Sequence, residues 1–389
     1  MINWTTSSLG ELLPLHYGKN LPASRRIEGD VPVYSSAGNT GTHNKSLVSG
    51  PCLIVGRKGT VGSVYFETRD CFPIDTAFYT TGTPEIDIRF GYYLLKHKNL
   101  HNYSQDSAVP GLNRDRYSEI TAAVPPLFEQ RAIAEVLGAL DDKIAANSKL
   151  VETLTSTFSA HWKTLGSSPT AENVTVESLL GEMIGGDWGT AEATESSPNE
   201  VYCIRGADIA DLQQAGLGKM PRRFLKTKSL ERRQLEDGDL VVEMSGGSPT
   251  QSTGRTVLVT DELLNRLDIP LTSSNFCRIV RPKDPMTSFY LYGLLQASWD
   301  RGEFFSFENG STGIKNLAFA DYSSNKAVAL PSLEALKQFN QLARSLFKTM
   351  HSLGAESSFL AETRDALLPQ LMSGKMRVRD AEAVVEDVL

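Results

Sequence analysis

Two loops rich in small residues carry the side chains best suited to meet a negatively charged ligand. The first, Gly56-Arg57-Lys58-Gly59-Thr60-Val61-Gly62, follows the apolar run Cys52-Leu53-Ile54-Val55 and precedes Val64-Tyr65-Phe66, which reads as strand, glycine loop, strand. A P-loop needs Gly-Lys, then Ser or Thr, then a helix. Here the lysine precedes its glycine and a strand follows, and the same context excludes a dinucleotide fingerprint. The loop's small residues do let backbone N–H groups, with Arg57, Lys58 and Thr60, approach a phosphodiester. The bland alternative is a surface hairpin with two solvated cations. A second loop, Asp106 to Arg114, ends in Asn113 and Arg114 and is either a further contact or a plain connection between helix and strand. Lys19, Tyr34 and Ser36 lie in or before the turn-rich loop Ser35 to Gly41 and join the candidate set.

The second half of the chain offers a parallel set with different chemistry. Between the predicted strands Asp239 to Glu243 and Thr256 to Val259 lies Met244 to Arg255, a longer loop richer in hydroxyls that supplies Ser248, Gln251 and Arg255. Lys315 and Asn316 lie just before Leu317, in the stretch that resembles Ser107 to Leu112 of the first half. A basic run from Lys219 to Arg233 contributes Arg222, Arg223 and Lys226, and either follows a phosphate backbone or is a solvated loop.

Catalytic patterns are missing. There is no Asn/Asp-Pro-Pro-aromatic tetrapeptide of amino-methyltransferases, no Gly-x-Ser-x-Gly elbow, no His-Glu-x-x-His and no zinc deaminase signature. The six histidines are scattered, and Asp141-Asp142, consecutive on a helix, do not face one cleft. The four cysteines show no Cys-x-x-Cys spacing, so we expect reduced thiols and no metal. The first residues lack the pattern of a signal peptide and no eighteen apolar residues run together, so a cytoplasmic chain without a membrane span is expected.

The elements that position these loops are dominated by one segment, Val124 to Lys163. Pro125 and Pro126 suit a helix entrance, and behind them Ile133, Leu137, Leu140, Ile144, Asn147, Val151, Leu154 and Phe158 recur in alternating steps of four and three. That is a coiled-coil seam, with Asn147 as its one polar member; a long core helix is the alternative. A seam needs a partner. From Leu330-Pro331 onward Leu346, Leu353, Leu360 and Leu367 recur every seven residues, preceded by Phe339 and Leu342. Thr349, Glu356, Thr363 and Gln370 are its other seam positions, and Gly354 weakens its middle by about 1 kcal/mol relative to Ala. Tyr92 to Leu95 resembles Tyr290 to Leu295, Ile74 to Phe78 resembles Thr272 to Phe276, and Ser107 to Leu112 resembles Ser311 to Leu317. The chain therefore reads as a tandem duplication, each half a globular α+β unit followed by a long helix.

The formal net charge of −7 argues weakly against nucleic acid, but it is unevenly spread. Nine acidic residues between Thr164 and Gly218 face Arg205 alone, whereas Lys219 to Arg233 holds seven basic residues against Glu231. A duplex responds to the field within a Debye length rather than to the sum.

Val124-Pro125-Pro126-Leu127-Phe128-Glu129-Gln130-Arg131-Ala132-Ile133-Ala134, with Leu140-Asp141-Asp142-Lys143-Ile144, resembles the central conserved region of specificity subunits of type I restriction–modification systems. Arg364 to Lys375 resembles that family's closing segment, and Gly56 to Gly62 and Ala108 to Asn113 are similar to parts of its recognition domains. Leu330-Pro331-Ser332-Leu333-Glu334 departs from the pattern, lacking the Glu-Gln pair, and Gly247 to Gly254 departs from the first loop.

The resemblance implies two mixed α/β target recognition domains in tandem, each followed by a long helix, the helices forming an antiparallel coiled coil with pseudo-two-fold symmetry. It places the domains at 1–125 and 164–331, the helices at 126–163 and 332–375, and an acidic tail at 376–389. It further implies a non-catalytic chain that binds a bipartite target in double-stranded DNA through the loop residues named above. The seam residues would pair the helices and dock two methyltransferase subunits and motor–nuclease subunits. S-adenosylmethionine, ATP and magnesium would belong to those partners and no cofactor to this chain. A coiled-coil adaptor joining two protein-binding domains is the alternative, and a nucleotide enzyme using the glycine loops is a third.

Overall fold

Proline cannot continue a helix but suits its entrance, where the first N–H groups lack partners in any case. In a computed structural model, Pro125-Pro126 is followed at once by a helix, Leu127–Leu165, and Pro331-Ser332 by another, Leu333–Met372. The structure describes residues 4–103, 111–165, 172–248, 250–310 and 314–389. The predicted loop positions 106–110, 249 and 311–313 lie outside the described residues.

The chain forms two compact units, Met1–Lys143 with Leu360–Leu389, and Ile144–Phe359, so each long helix contributes to both. In the first unit Ala77–Thr80 is flanked by His16–Tyr17 and Cys52–Gly56, and Val64–Glu67 completes an antiparallel four-stranded sheet. Gly38–His43, Val31–Ser35 and Phe72–Pro73 make a second sheet whose last pair is parallel. The stretch Ser35 to Gly41, expected as a loop, is thus the turn and flanks of a hairpin. The strand Cys52–Gly56 is buried along its whole length, as its unbroken apolar sequence requires.

The second unit repeats this plan. Leu180–Gly185, Cys277–Pro282, Leu240–Glu243 and Thr256–Leu258 form the four-stranded sheet, and Arg222–Leu225, Asn199–Ile204 and Leu271–Ser273 the three-stranded one, again with its last pair parallel. Backbone hydrogen bonds fix the correspondence. The Thr76 carbonyl accepts from the N–H groups of Arg57 and Lys58, and the Phe276 carbonyl from those of Met244 and Ser245. Arg57 and Lys58 therefore correspond to Met244 and Ser245. Thr76 matches Phe276, two residues away from the match that sequence similarity gave. Leu112 N–H donates to Arg57 O, as Leu317 N–H donates to Met244 O.

Along the first long helix the expected seam is buried at Ile133, Leu137, Leu140, Asn147, Val151 and Phe158, with Ile144 and Leu154 partly covered. In the second unit the two helices run antiparallel. Asn147 donates to Glu356 at 2.8 Å and Ser357 at 3.3 Å, and the Phe158 ring lies 5.5 Å from Phe347 and 5.4 Å from Phe339. The second helix departs from its expected pattern. Its buried row there is Leu336, Phe339, Ala343, Phe347 and Met350; Leu346 and Leu353 lie beside it, partly covered, and Thr349 is exposed. Leu360 and Leu367, in the first unit, are buried as expected, whereas Gln370 is exposed. The leucine heptad misled because aromatic and alanine positions, filling the second unit's own core, take the seam. Residues 376–389 include a helix, Val378–Glu386, that buries Ala381 and Val385.

Gly354 is a contact point rather than a weakness. A Cβ there would lie 2.0 Å from the Ala215 carbonyl oxygen, which also accepts from Arg266 at 2.6 Å. Ala215 itself holds a φ of 59°, a backbone region that L side chains seldom adopt, so the approach is built into the turn. Beside it, burial and the Arg266 guanidinium push the His351 imidazole down to about 4, with Glu262 opposing.

Two outcomes follow. Alanine at Gly354 gains about 1 kcal/mol in helix propensity but meets an overpacking cost of roughly 1–3 kcal/mol against a backbone oxygen, so Gly354→Ala lowers stability in urea denaturation; a rise would show the contact is absent. His351 has an unfolded value near ~6.5 and a lower folded one, so the unfolded state takes up its proton first as pH falls. Stability is then lost between ~6.5 and about 4, and His351→Gln flattens that part of the profile.

Candidate nucleic-acid interface

In the first unit, sheet pairing assembles a cationic cluster from three separate stretches. His16–Tyr17 pairs with Ala77–Thr80, which pairs with Cys52–Gly56, so Tyr17 comes beside the loop that leaves Gly56. The Arg57 guanidinium lies 4.9 Å over the Tyr17 ring and 5.7 Å over that of Phe78, and donates to Asp75 O at 3.2 Å. Arg114 lies 5.3 Å over the same Tyr17 ring. Lys58 bridges to Gly111, which ties the two predicted loops into one surface. Gly59 and Gly62 both hold a φ of 76°, and at Gly62 a Cβ would be 2.4 Å from the His101 nitrogen. The loop can keep its path only with glycine there.

Tyr17 was not singled out from sequence. It is 49% exposed, so it carries cations on a surface ring rather than in a core. Nothing in the local pattern marks it; only the pairing of distant strands does. Lys19, Lys58 and Thr60 are exposed, and their side chains make no hydrogen bond or ion pair among the described residues.

Other predicted residues are committed to structure. The Tyr34 hydroxyl donates to Glu67 at 3.0 Å. Burial and that carboxylate push the Tyr34 phenol up; burial also works against the Glu67 charge, but hydrogen bonds from Arg69 and Tyr34 hold its carboxyl below the usual range. Ser36 is buried, and its carbonyl accepts from Ser63 and Tyr65. Asn113 caps the helix Arg114–Glu119, accepting from Asp115 N–H at 2.8 Å and Arg116 N–H at 3.0 Å.

In the second unit the predicted cations are more heavily engaged. Arg255 binds the buried Glu243 carboxylate through two bonds of 2.9 and 2.7 Å, so it is a structural arginine rather than a free one. Lys315 pairs with Glu308 at 2.7 Å and lies 4.9 Å over the Phe305 ring. Arg222 pairs with Glu200 and Asp268; Arg223 lies 4.5 Å over the Trp188 ring and donates to Trp188 O and Gly189 O. The basic run is therefore a strand and a helix, Arg222–Leu225 and Thr227–Arg233, rather than a solvated loop. Lys226 and Gln251 remain exposed. Ser248 N–H closes a turn on Gln251 O at 2.7 Å, and the Ser245 hydroxyl meets Asn316 Oδ1 at 2.5 Å.

Asp141 and Asp142 anchor different side chains. Tyr93 donates to Asp141 at 2.6 Å and Arg364 to Asp141 at 2.5 Å, while Arg89 donates to Asp142 at 2.6 Å and to Gly138 O at 3.1 Å. No group of three His, Cys, Asp or Glu among the described residues is arranged to hold a metal, and no described helix is long and apolar enough to cross a membrane.

Residues 1–156 match the family model described as the type I restriction modification DNA specificity domain. The EcoprrI type I restriction enzyme specificity subunit of Escherichia coli is 27% identical over 140 residues, 34% of this chain and 35% of that protein, so the match spans about a third of that relative. The MjaVIII specificity subunit of Methanocaldococcus jannaschii is 21% identical over 315 residues, 76% of this chain and 72% of the relative. The crystal structure of a type I restriction–modification system S subunit from M. genitalium shares the fold, with a TM-score of 0.55 at 17% identity over 95% of this chain and 96% of that one.

Removing one partner of the Arg255–Glu243 pair leaves a carboxylate buried without its counter-charge, which costs roughly 3–5 kcal/mol. Arg255→Ala should therefore lower the unfolding midpoint strongly; a variant as stable as the parent would mean that Arg255 is free for other work.

Proposed function

We infer that this chain, a member of the family of type I restriction–modification specificity subunits, reads one half of a split target in double-stranded DNA with each of its two units. The observation that carries this is the surface cluster of half-buried Arg57 with exposed Lys58, Arg114 and Tyr17, drawn together from stretches far apart in sequence. Guanidinium groups stacked on a ring keep their charge and their outward donors while losing conformational freedom, which suits phosphate contact. Lys19, Lys58 and Thr60 extend the same surface. The paired helices, by this reading, hold the two readers at a set separation and dock two methyltransferase subunits. Those subunits would bring S-adenosylmethionine, and motor–nuclease subunits would bring ATP and magnesium. The chain's own contribution is recognition: two linked half-sites are more selective than either alone, because the second engagement is intramolecular.

The adaptor reading keeps one observation in its favour: in the second unit Arg222, Arg255 and Lys315 are paired with acidic residues. Salt dependence separates the two. With the modification subunits present, log affinity for target DNA falls linearly with log salt, and Arg57→Ala with Lys58→Ala lowers affinity and reduces the slope by about 1–2. An unchanged slope removes these residues from the interface. A complex without DNA affinity removes the function.

A further inference from the structure

We propose that a cavity in the second unit takes one unstacked nucleobase of the target, with Trp188 and Phe276 as stacking surfaces and the Asn275 amide reading the base edge. This rests on the DNA-reading function above and goes beyond it in naming a mode of recognition. The cavity measures about 360 Å³, and its lining includes Trp188, Arg205, Glu243, Ser245, Asn275 and Phe276. A base within a stacked duplex offers a protein only its edge in a groove, so a concave site needs something that projects from the duplex. A base turned out of the stack is flat, has two π faces and carries donors and acceptors around its rim. The lining answers each of these features.

Trp188 is 37% and Phe276 49% exposed, an unusual place for two large rings in one cavity wall unless they meet a ligand face. Arg223, which is not among the lining residues, lies 4.5 Å over the Trp188 ring and donates to Trp188 O at 2.9 Å, which restrains this residue. Polar groups of both signs complete the lining. Glu243, 3% exposed, is oriented by Arg255 and retains lone pairs for a base amino group. Asp208 engages Nε and Nη2 of Arg205, leaving Nη1 without a partner among the described residues. Asn275 is exposed, and its amide makes no hydrogen bond among the described residues; an asparagine amide can pair with two atoms of an adenine edge.

The walls are set before any ligand arrives. A Cβ at Gly186 would lie 2.1 Å from Ser274 O, and Asp187 N–H donates to Ser273 O at 2.9 Å, so the segments bearing Trp188 and Asn275 are drawn tightly together. Phe276 O accepts from Met244 and Ser245 N–H at 2.8 and 3.1 Å, so truncating the Phe276 ring leaves its backbone anchored. By the same hydrogen-bond correspondence the first unit has Asp75, Thr76 and Lys58 where the second has Asn275, Phe276 and Ser245. The arrangement therefore belongs to one half-site only.

The test uses the full chain assembled with its modification subunits. 2-Aminopurine or pyrrolocytosine is placed at each position of the second half-site in turn, setting aside the adenine that methylation mapping identifies. Unstacking raises the fluorescence of either probe. The expected result is a rise at one position, lost in Phe276→Ala and in Asn275→Ala, with affinity falling roughly tenfold in the aromatic variant. Unchanged affinity and fluorescence in both variants overturn the cavity assignment while leaving the DNA-reading function intact. Lost affinity with no fluorescent position shows that the rings touch stacked DNA, and overturns it as well. Binding of free AMP that the variants abolish, with DNA binding unaffected, assigns the cavity to a small molecule instead. No DNA binding by the assembled complex removes both this inference and the function on which it rests.

Discussion

Each unit grips a long helix at a glycine, and much else in the fold depends on that grip. In the first unit the Arg89 guanidinium lies where a Gly138 Cβ would be, 2.5 Å from its Cζ, and binds the Gly138 carbonyl and Asp142. In the second the Ala215 carbonyl occupies the same kind of space at Gly354. A helix presents its backbone only where a side chain is missing, so a glycine at the contact fixes both the rotation and the depth of what packs there. Propensity alone counts these glycines as defects of about 1 kcal/mol each. Tertiary contact reverses the sign, because the approaching groups are a fixed carbonyl and a guanidinium already held by a carboxylate.

On this common frame the two units keep their backbone hydrogen bonds and exchange their side chains. The carbonyl of residue 76 or 276 receives the same two N–H groups, yet those belong to Arg57 and Lys58 in one unit and to Met244 and Ser245 in the other. Backbone pairing does not see side-chain chemistry, so a loop surface can diverge without disturbing the sheet beneath it. The electrostatics diverge accordingly. In the first unit the cations stack on Tyr17 and keep their charge outward; in the second, Arg255 and Lys315 are neutralised by Glu243 and Glu308.

What the sequence made legible was whatever depends on near neighbours. The proline entrances, the four-three seam of the first helix and the strand, glycine loop, strand order all rest on spacing within a few turns. The second helix was less legible. Its leucines at seven-residue spacing are real, but Phe339, Ala343 and Phe347 face the core of their own unit, and an alternation shared between two neighbours cannot be assigned from one pattern. Nor could the fate of the arginines be read. Arg57 and Arg255 look alike in sequence, each beside a glycine loop; one finds an aromatic ring and the other a buried carboxylate twelve residues away across a hairpin. Tyr17 was invisible for the same reason, since the strand that pairs with it and the arginines that stack on it all come from distant stretches. The match of residues 74–78 with 272–276 slipped by two because short apolar and hydroxyl runs tolerate a two-residue shift, which keeps each side chain on its face of a strand.

The polar members of the helix pair carry the remaining constraint. Asn147 meets Glu356 and Ser357 in the second unit, and Asp141 meets Arg364 in the first. Apolar contacts alone are tolerant, since a slide replaces one apolar neighbour with another. A buried asparagine or a half-buried guanidinium is not tolerant, because the slide leaves it facing apolar side chains, and a stranded buried charge costs roughly 3–5 kcal/mol. One such pair in each unit fixes the stagger of the helices twice over, so neither end can slip without the loss being felt there. Polar pairs in an apolar seam select one register at some cost in stability.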